Sequence, residues 1–161
     1  MPFDSPDTRA ILAFLDRIGV PVVIAPVAGE TALPAMTVTE GALVIDPARL
    51  EWPGDMLHEA GHIAVTDPAL RPTLSDVSSD PAEEMATIAW SYAAALAAGI
   101  DPKLVFHDHG YRGGGGYLAD NFAHGGYVGT PMLEYWGMAA PKREAEARGV
   151  APFPHMLRWL R

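Results

Sequence analysis

His58-Glu59-Ala60-Gly61-His62 is the stretch on which the reading of this chain turns. In an α-helix of 3.6 residues per turn, residues four apart rise from one face, so His58 and His62 can converge on a single point while Glu59 flanks it. Two imidazoles beside a carboxylate are the parts of a zinc hydrolase site, in which Glu59 serves as the general base. The competing reading is a solvated helix with two surface histidines and an ordinary surface glutamate. The flanks favour the site: Trp52-Pro53 offers a proline at the first helical position, Leu57, Ala60 and Ala64 form an apolar stripe, and Thr66-Asp67-Pro68 ends the pattern. Gly61 costs about 1 kcal/mol against alanine in a helix interior. It marks a place where another element or a substrate comes close.

Composition bounds this reading. A chain of 161 residues, 49% of them hydrophobic, builds one domain over 1–161 with a real core. The net charge of -9, with only 11 Lys and Arg, opposes a nucleic-acid partner. The basic pair Lys142-Arg143 sits among Glu144, Glu146 and Arg148 and reads as a solvated face. The absence of cysteine excludes disulfides and thiolate zinc sites, and it fits a reducing cytoplasm. Residues 1–7 are acidic and lack the basic and apolar regions of a secretory signal. The longest uncharged helical stretch, Met85 to Ile100, is shorter than the ~20 residues that cross a bilayer. A cytoplasmic protein without a membrane partner is expected, acting on a peptide or protein.

The periodicity predicts a helix over Pro6 to Ile18, stopped by Gly19, then three short strands at Val20 to Val27, Met36 to Thr39 and Ala42 to Ile45, the last two joined at Glu40-Gly41. The motif helix runs from about Pro53 to Val65, and an irregular polar stretch follows from Asp67 to Ser79. A long second helix spans Pro81 to Ala98, with Asp80 as N-cap and Gly99 past its end. A short helix begins at Asp101-Pro102. Residues 107–131 hold three histidines, Gly113 to Gly116 and Gly125-Gly126, and read as a loop walling or covering a cleft. The glycine run lacks the spacing of either nucleotide-binding fingerprint. Short helices are expected over Thr130 to Met138 and Pro141 to Arg148.

A catalytic zinc takes three protein ligands and keeps a position for water, so one ligand is missing from the pair. Position 68 is Pro68, which rules out a third histidine six residues after His62. Glu83 and Glu84 open the second long helix and are the next candidates; His107, His109 and His124 have lesser claims. Here Glu83-Glu84-Met85-Ala86-Thr87-Ile88-Ala89-Trp90, taken with the first motif, resembles the gluzincins, zinc peptidases whose third ligand is a glutamate on the following helix. It looks most like their small ImmA/IrrE-like branch, over residues 40–100.

The resemblance implies an α+β, zincin-like fold: a small, mostly antiparallel sheet preceded by a helix and packed against the two long helices. It also implies Zn²⁺ as cofactor, peptide hydrolysis, and Glu83 as the third ligand. Thr87 would stand where the branch carries an Asn or Asp that supports a zinc histidine. Against Glu83 stands the capping-box form of Asp80-x-x-Glu83, which would leave the metal to Glu84. A donor to the developing oxyanion would come from Tyr111, Tyr117, Tyr127 or His124. Two other classes of function fit the same residues: a regulatory or binding protein on this scaffold with narrow or no proteolysis, and a metal-free helical interaction protein.

Overall fold

The hydroxyl of Ser5 accepts from the Thr8 amide and Pro6 fills the first helical position, which starts α1 (Pro6–Ile18); Gly19 ends it at a φ of 85°. Ile11, Phe14 and Leu15 form its buried face. Three strands follow: β1 (Val22–Ile24), β2 (Met36–Thr39) and β3 (Ala42–Ile45). Between β2 and β3 the chain turns on two residues of positive φ, Glu40 at 48° and Gly41 at 74°, the backbone that a tight hairpin demands. A computed structural model describes residues 1–110 and 114–161 of the chain.

The sheet is mixed, with order β1-β3-β2, and this corrects the mostly antiparallel sheet expected above. β2 pairs antiparallel with β3, Met36 opposite Ile45, whereas β1 pairs parallel with β3, Val22 opposite Leu43. The cause is the segment 25–35, which crosses from one edge to the other before β2 runs back. The tight turn then inserts β3 in the middle, parallel to β1. Hydrophobic alternation shows which face of a strand is buried but carries nothing about direction. Met36, Val38, Leu43 and Ile45 supply that buried face, and α2 (Asp55–Val65) packs across it.

Asp80 caps α3 (Pro81–Ala98) by accepting from the Ala82 amide, and Gly99 closes it in the left-handed region. From Ala86 to Ala95 every residue of α3 is buried. Its contact with α2 is the most extensive between any two elements, and it explains Gly61. A Cβ there would stand 2.9 Å from Thr87 Cγ2 and 3.1 Å from Trp90 Cε3. What approaches the motif helix at that glycine is therefore another element, α3.

The far end of α2 is held by guanidinium and amide donors. Arg71 donates to the carbonyls of Ile63 and Thr66, the Arg161 amide to Ala64, and the Arg161 guanidinium to Val65. Carbonyls at a helix C-terminus run out of intrahelical amides, the Thr66 amide reaching back only to Ile63, and positive charge suits the helix's negative end. Trp90 donates to the Trp159 carbonyl at 2.9 Å, and Phe14 meets the Trp159 ring edge-on at 4.9 Å.

Residues 107–131 are not one loop. They contain α4 (Gly115–Ala123), whose Phe122 stacks on Tyr92 of α3 at 4.7 Å. The glycines hid this helix, because a run of them reads as a chain without fixed structure. Gly115 instead sits where a Cβ would lie 2.3 Å from the Phe106 carbonyl oxygen, so it is needed for close packing. Helices α5 (Thr130–Tyr135) and α6 (Lys142–Arg148) complete the order. The molecule is α+β, and among the described residues no helix is long and apolar enough to cross a membrane.

Candidate metal centre

His58 and His62 lie one turn apart on α2, with their Nε2 atoms 3.3 Å apart and their ring planes at 83°. Glu84, in the first turn of α3, reaches both: Oε1 is 3.3 Å from His58 Nε2 and Oε2 is 3.0 Å from His62 Nε2. These three side chains could hold a metal ion. His62 is buried, His58 half-buried, and Glu84 opens toward solvent. Hydrogen bonds from His58 and His62 hold the Glu84 carboxyl well below the usual carboxylate range.

The adjacent carboxylate, Glu83, is outside this group. One residue turns a helix by 100°, so only one of two neighbours can face the imidazoles. The capping box is not formed either: Asp80 takes the Ala82 amide, and the Asp80 amide donates to Ser78 Oγ, leaving Glu83 no part in the cap. Thr87, one turn on from Glu84 and fully buried, places Oγ1 3.4 Å from His62 Nδ1. A metal on Nε2 would leave the proton on Nδ1, which would then donate to that hydroxyl; without one, Nε2 donates to Glu84 and Nδ1 accepts from Thr87.

Glu59 is buried, with 7% of its surface exposed. Burial pushes its carboxyl above the ordinary value, opposed by His62 and then His58. It lines a cavity of about 240 Å³ between segment 30–33, the edge strand β2 and segment 75–77. A second cavity of about 200 Å³ is lined by Asp55, His58, Glu84 and Gly110. Leu33 belongs to both walls, so the two hollows adjoin there, and of the donor group His58 and Glu84 line the second.

A feature missed in the sequence is Asp55. It opens α2, is buried, and takes a hydrogen bond from His107 Nε2 at 2.7 Å. Burial raises its carboxyl, opposed first by His107. The spacing 55, 58, 62 places Asp55 on the face of the two histidines, and that signal was present in the pattern. His107 is thus bound to Asp55 rather than to the donor group, and its ring stacks on Trp52 at 4.6 Å; His109 stacks on the same indole at 4.5 Å.

The candidate oxyanion donors lie elsewhere. Tyr117 is exposed, Tyr127 packs on Phe153 at 4.8 Å, and His124 donates from Nδ1 to the Asp120 carbonyl. None of these lines either cavity. Tyr111 lies outside the described residues. No family model matches the chain, and no curated protein or solved structure matches it.

Proposed function

We propose that the protein is a zinc-dependent peptidase in which His58, His62 and Glu84 hold the metal and Glu59 moves the proton. The observation that carries this reading is the convergence of the two Nε2 atoms and the Glu84 carboxylate. Zinc bonds nitrogen at about 2.0–2.1 Å, and a tetrahedron on such bonds has edges of about 3.3 Å. The two Nε2 atoms are 3.3 Å apart, the length of one such edge, and Glu84 sets a different carboxylate oxygen near each of them, Oε1 3.3 Å from His58 and Oε2 3.0 Å from His62. Two imidazoles and one carboxylate also match the set His₂Glu of catalytic zinc, which leaves a fourth vertex for water or substrate.

A zinc ion there supplies Lewis acidity, to a water and to the substrate carbonyl. Glu59 takes a proton from the attacking water and passes it to the departing amine. Its burial suits the role of base, because a carboxyl raised from its ordinary value holds a proton more readily. Thr87 fixes the tautomer and direction of His62. Asp55 and His107 tie the segment after α3 to the start of α2 and so keep the second hollow in shape. β2 is an edge strand, and an extended peptide can lie along it beside Glu59.

Elemental analysis of the purified protein, combined with three variants, tests this reading. The wild type is expected to carry one zinc per chain and to cleave peptides. Glu59→Gln keeps the metal and loses turnover by at least about 10²-fold. Glu84→Ala loses the metal, whereas Glu83→Ala keeps both metal and turnover. A metal-free wild type, or a Glu59→Gln variant as active as wild type, overturns it.

A further inference from the structure

In an antiparallel pair the backbone groups of successive residues point alternately toward the partner strand and away from it. The Asp46 amide donates to the Ala35 carbonyl, and this fixes the phase of β2. Ala35, Thr37 and Thr39 face β3, so the N–H and C=O groups of Met36 and Val38 point outward, to the edge that no strand covers. Met36 is 2% exposed and Val38 3%, yet these outward groups have no partner among the described residues. Buried backbone groups left so are rare. Both residues line the cavity that Glu59 also lines, and segment 75–77 forms its other side. The backbone of residues 75–79 likewise makes no hydrogen bond to a described residue. This arm has a fixed base, where the Gly41 amide donates to the Leu74 carbonyl at 2.8 Å and the Glu40 amide to Ser75 Oγ at 3.2 Å. Its far end is the Asp80 cap of α3, the helix that carries Glu84. Two rows of unpaired backbone groups therefore border one hollow, and a strand between them would satisfy both.

We infer that segment 75–79 is a clamp, which swings out to admit an extended peptide on β2 and closes along that peptide's other edge; the inference rests on the peptidase reading above. The swing is needed because the hollow holds about 240 Å³, less than the ~300 Å³ at which ligand pockets begin. It is also easy, because a segment without backbone hydrogen bonds of its own opens at little cost. The peptide becomes an inner strand, bonded to Met36 and Val38 on one side and to the clamp on the other. Recognition through the backbone tolerates most side chains but demands an unfolded stretch with its amides free. A stretch held in a folded helix is refused, and each proline in the clamped stretch removes one bond.

A backbone-ester series and hydrogen exchange decide it, both on the Glu59→Gln variant with zinc added, so that the probe survives. The probe is an end-blocked peptide of Ala, Val and Thr, about six residues long, one strand's length. Each ester replaces one peptide N–H by oxygen without added bulk. On an open edge only alternate N–H groups are bonded, so the esters would weaken binding with a period of two. In the clamp, esters at neighbouring positions each weaken it about three- to tenfold. With the peptide bound, amides of Met36 and Val38 and amides within 75–79 exchange at least about tenfold more slowly. Wild-type cleavage of the same peptide is measured alongside. Cleavage with a period of two and unmoved exchange at 75–79 overturns the clamp and leaves the peptidase standing. Neighbouring esters that weaken binding, with slowed exchange at 75–79 but no cleavage, keep the clamp and remove the peptidase. Neither binding nor cleavage removes both.

Discussion

Gly61 in α2 and Gly115 in α4 do the same work in two regions that read very differently as sequence. Each lets a helix approach a neighbour closer than a Cβ permits. At Gly61 the neighbours are the side chains of Thr87 and Trp90, at 2.9 and 3.1 Å from the missing Cβ. At Gly115 they are backbone oxygens, Phe106 at 2.3 Å and His107 at 2.4 Å. Side chains can give way by a few tenths of an ångström, whereas a carbonyl moves only with its chain. The motif helix is therefore packed with some tolerance and the glycine-rich segment with very little, the reverse of what a run of glycines suggests.

The strongest link between the two regions is the pair His107–Asp55, and removing it is expected to have the largest effect on stability. Both side chains are nine-tenths buried, so His107→Ala leaves the Asp55 carboxylate buried without its partner. The expected loss is about 3–4 kcal/mol by urea denaturation, in the range for breaking buried pairs. Asp55→Ala alone should cost a similar amount, and the double variant much less than the sum, because the pair acts as a unit. Additive losses would mean that the regions are joined by apolar packing alone. Next comes Gly115→Ala, expected to cost about 3 kcal/mol, the upper end of overpacking, and to change the near-ultraviolet signal of the Tyr92–Phe122 stack. A loss below about 1 kcal/mol would show that α4 can slide away from Phe106.

How much of this was legible follows from the same contrast. In α1 and α3 the apolar periodicity, the Asp80 cap and the closing glycines Gly19 and Gly99 agree with the helices observed, whereas α2 ends at Val65 as the pattern has it but starts at Asp55, so Pro53 precedes the helix instead of opening it. His58, Glu59 and His62 are local to one helix, so their spacing alone brings them together. The third donor depends on how α3 is rotated against α2. That rotation is set by Gly61, Thr87 and Trp90 meeting, a long-range fact absent from the local pattern around Glu83 and Glu84. α4 was illegible for a related reason: its buried residues Ala119 and Phe122 are too few to make a stripe, and Gly115 is justified only by the carbonyls it passes. Strand direction in the sheet likewise depends on segment 25–35, whose path no alternation encodes.

A smaller effect is expected at Thr87. Thr87→Val keeps the shape and both branches at Cβ but removes the oxygen facing His62 Nδ1. Metal affinity should fall about tenfold, the lower end for losing a partner of a ligating histidine, with thermal stability of the metal-free protein little changed. A chelator competition assay measures it. Unchanged affinity would mean that the 3.4 Å contact does not orient the ring.

The smallest effect is expected from Gly61→Ala, and it is the most informative about how the two helices meet. Two terms oppose: alanine gains about 1 kcal/mol of helix propensity over glycine, while the added methyl presses on Thr87 Cγ2 and Trp90 Cε3. Overpacking of this kind costs about 1–3 kcal/mol, so a net loss near 1 kcal/mol is expected in urea denaturation. Pushing Thr87 away also draws its hydroxyl from His62, so metal affinity should drop with stability. Thr87→Ser removes Cγ2 and keeps the oxygen. In the pair Gly61→Ala/Thr87→Ser the helix gain remains while part of the clash is gone, and both stability and affinity should recover relative to Gly61→Ala alone. If stability recovers but affinity does not, the His62–Thr87 contact depends on the close approach of the backbones, and a glycine at position 61 serves the metal site as directly as the helix packing.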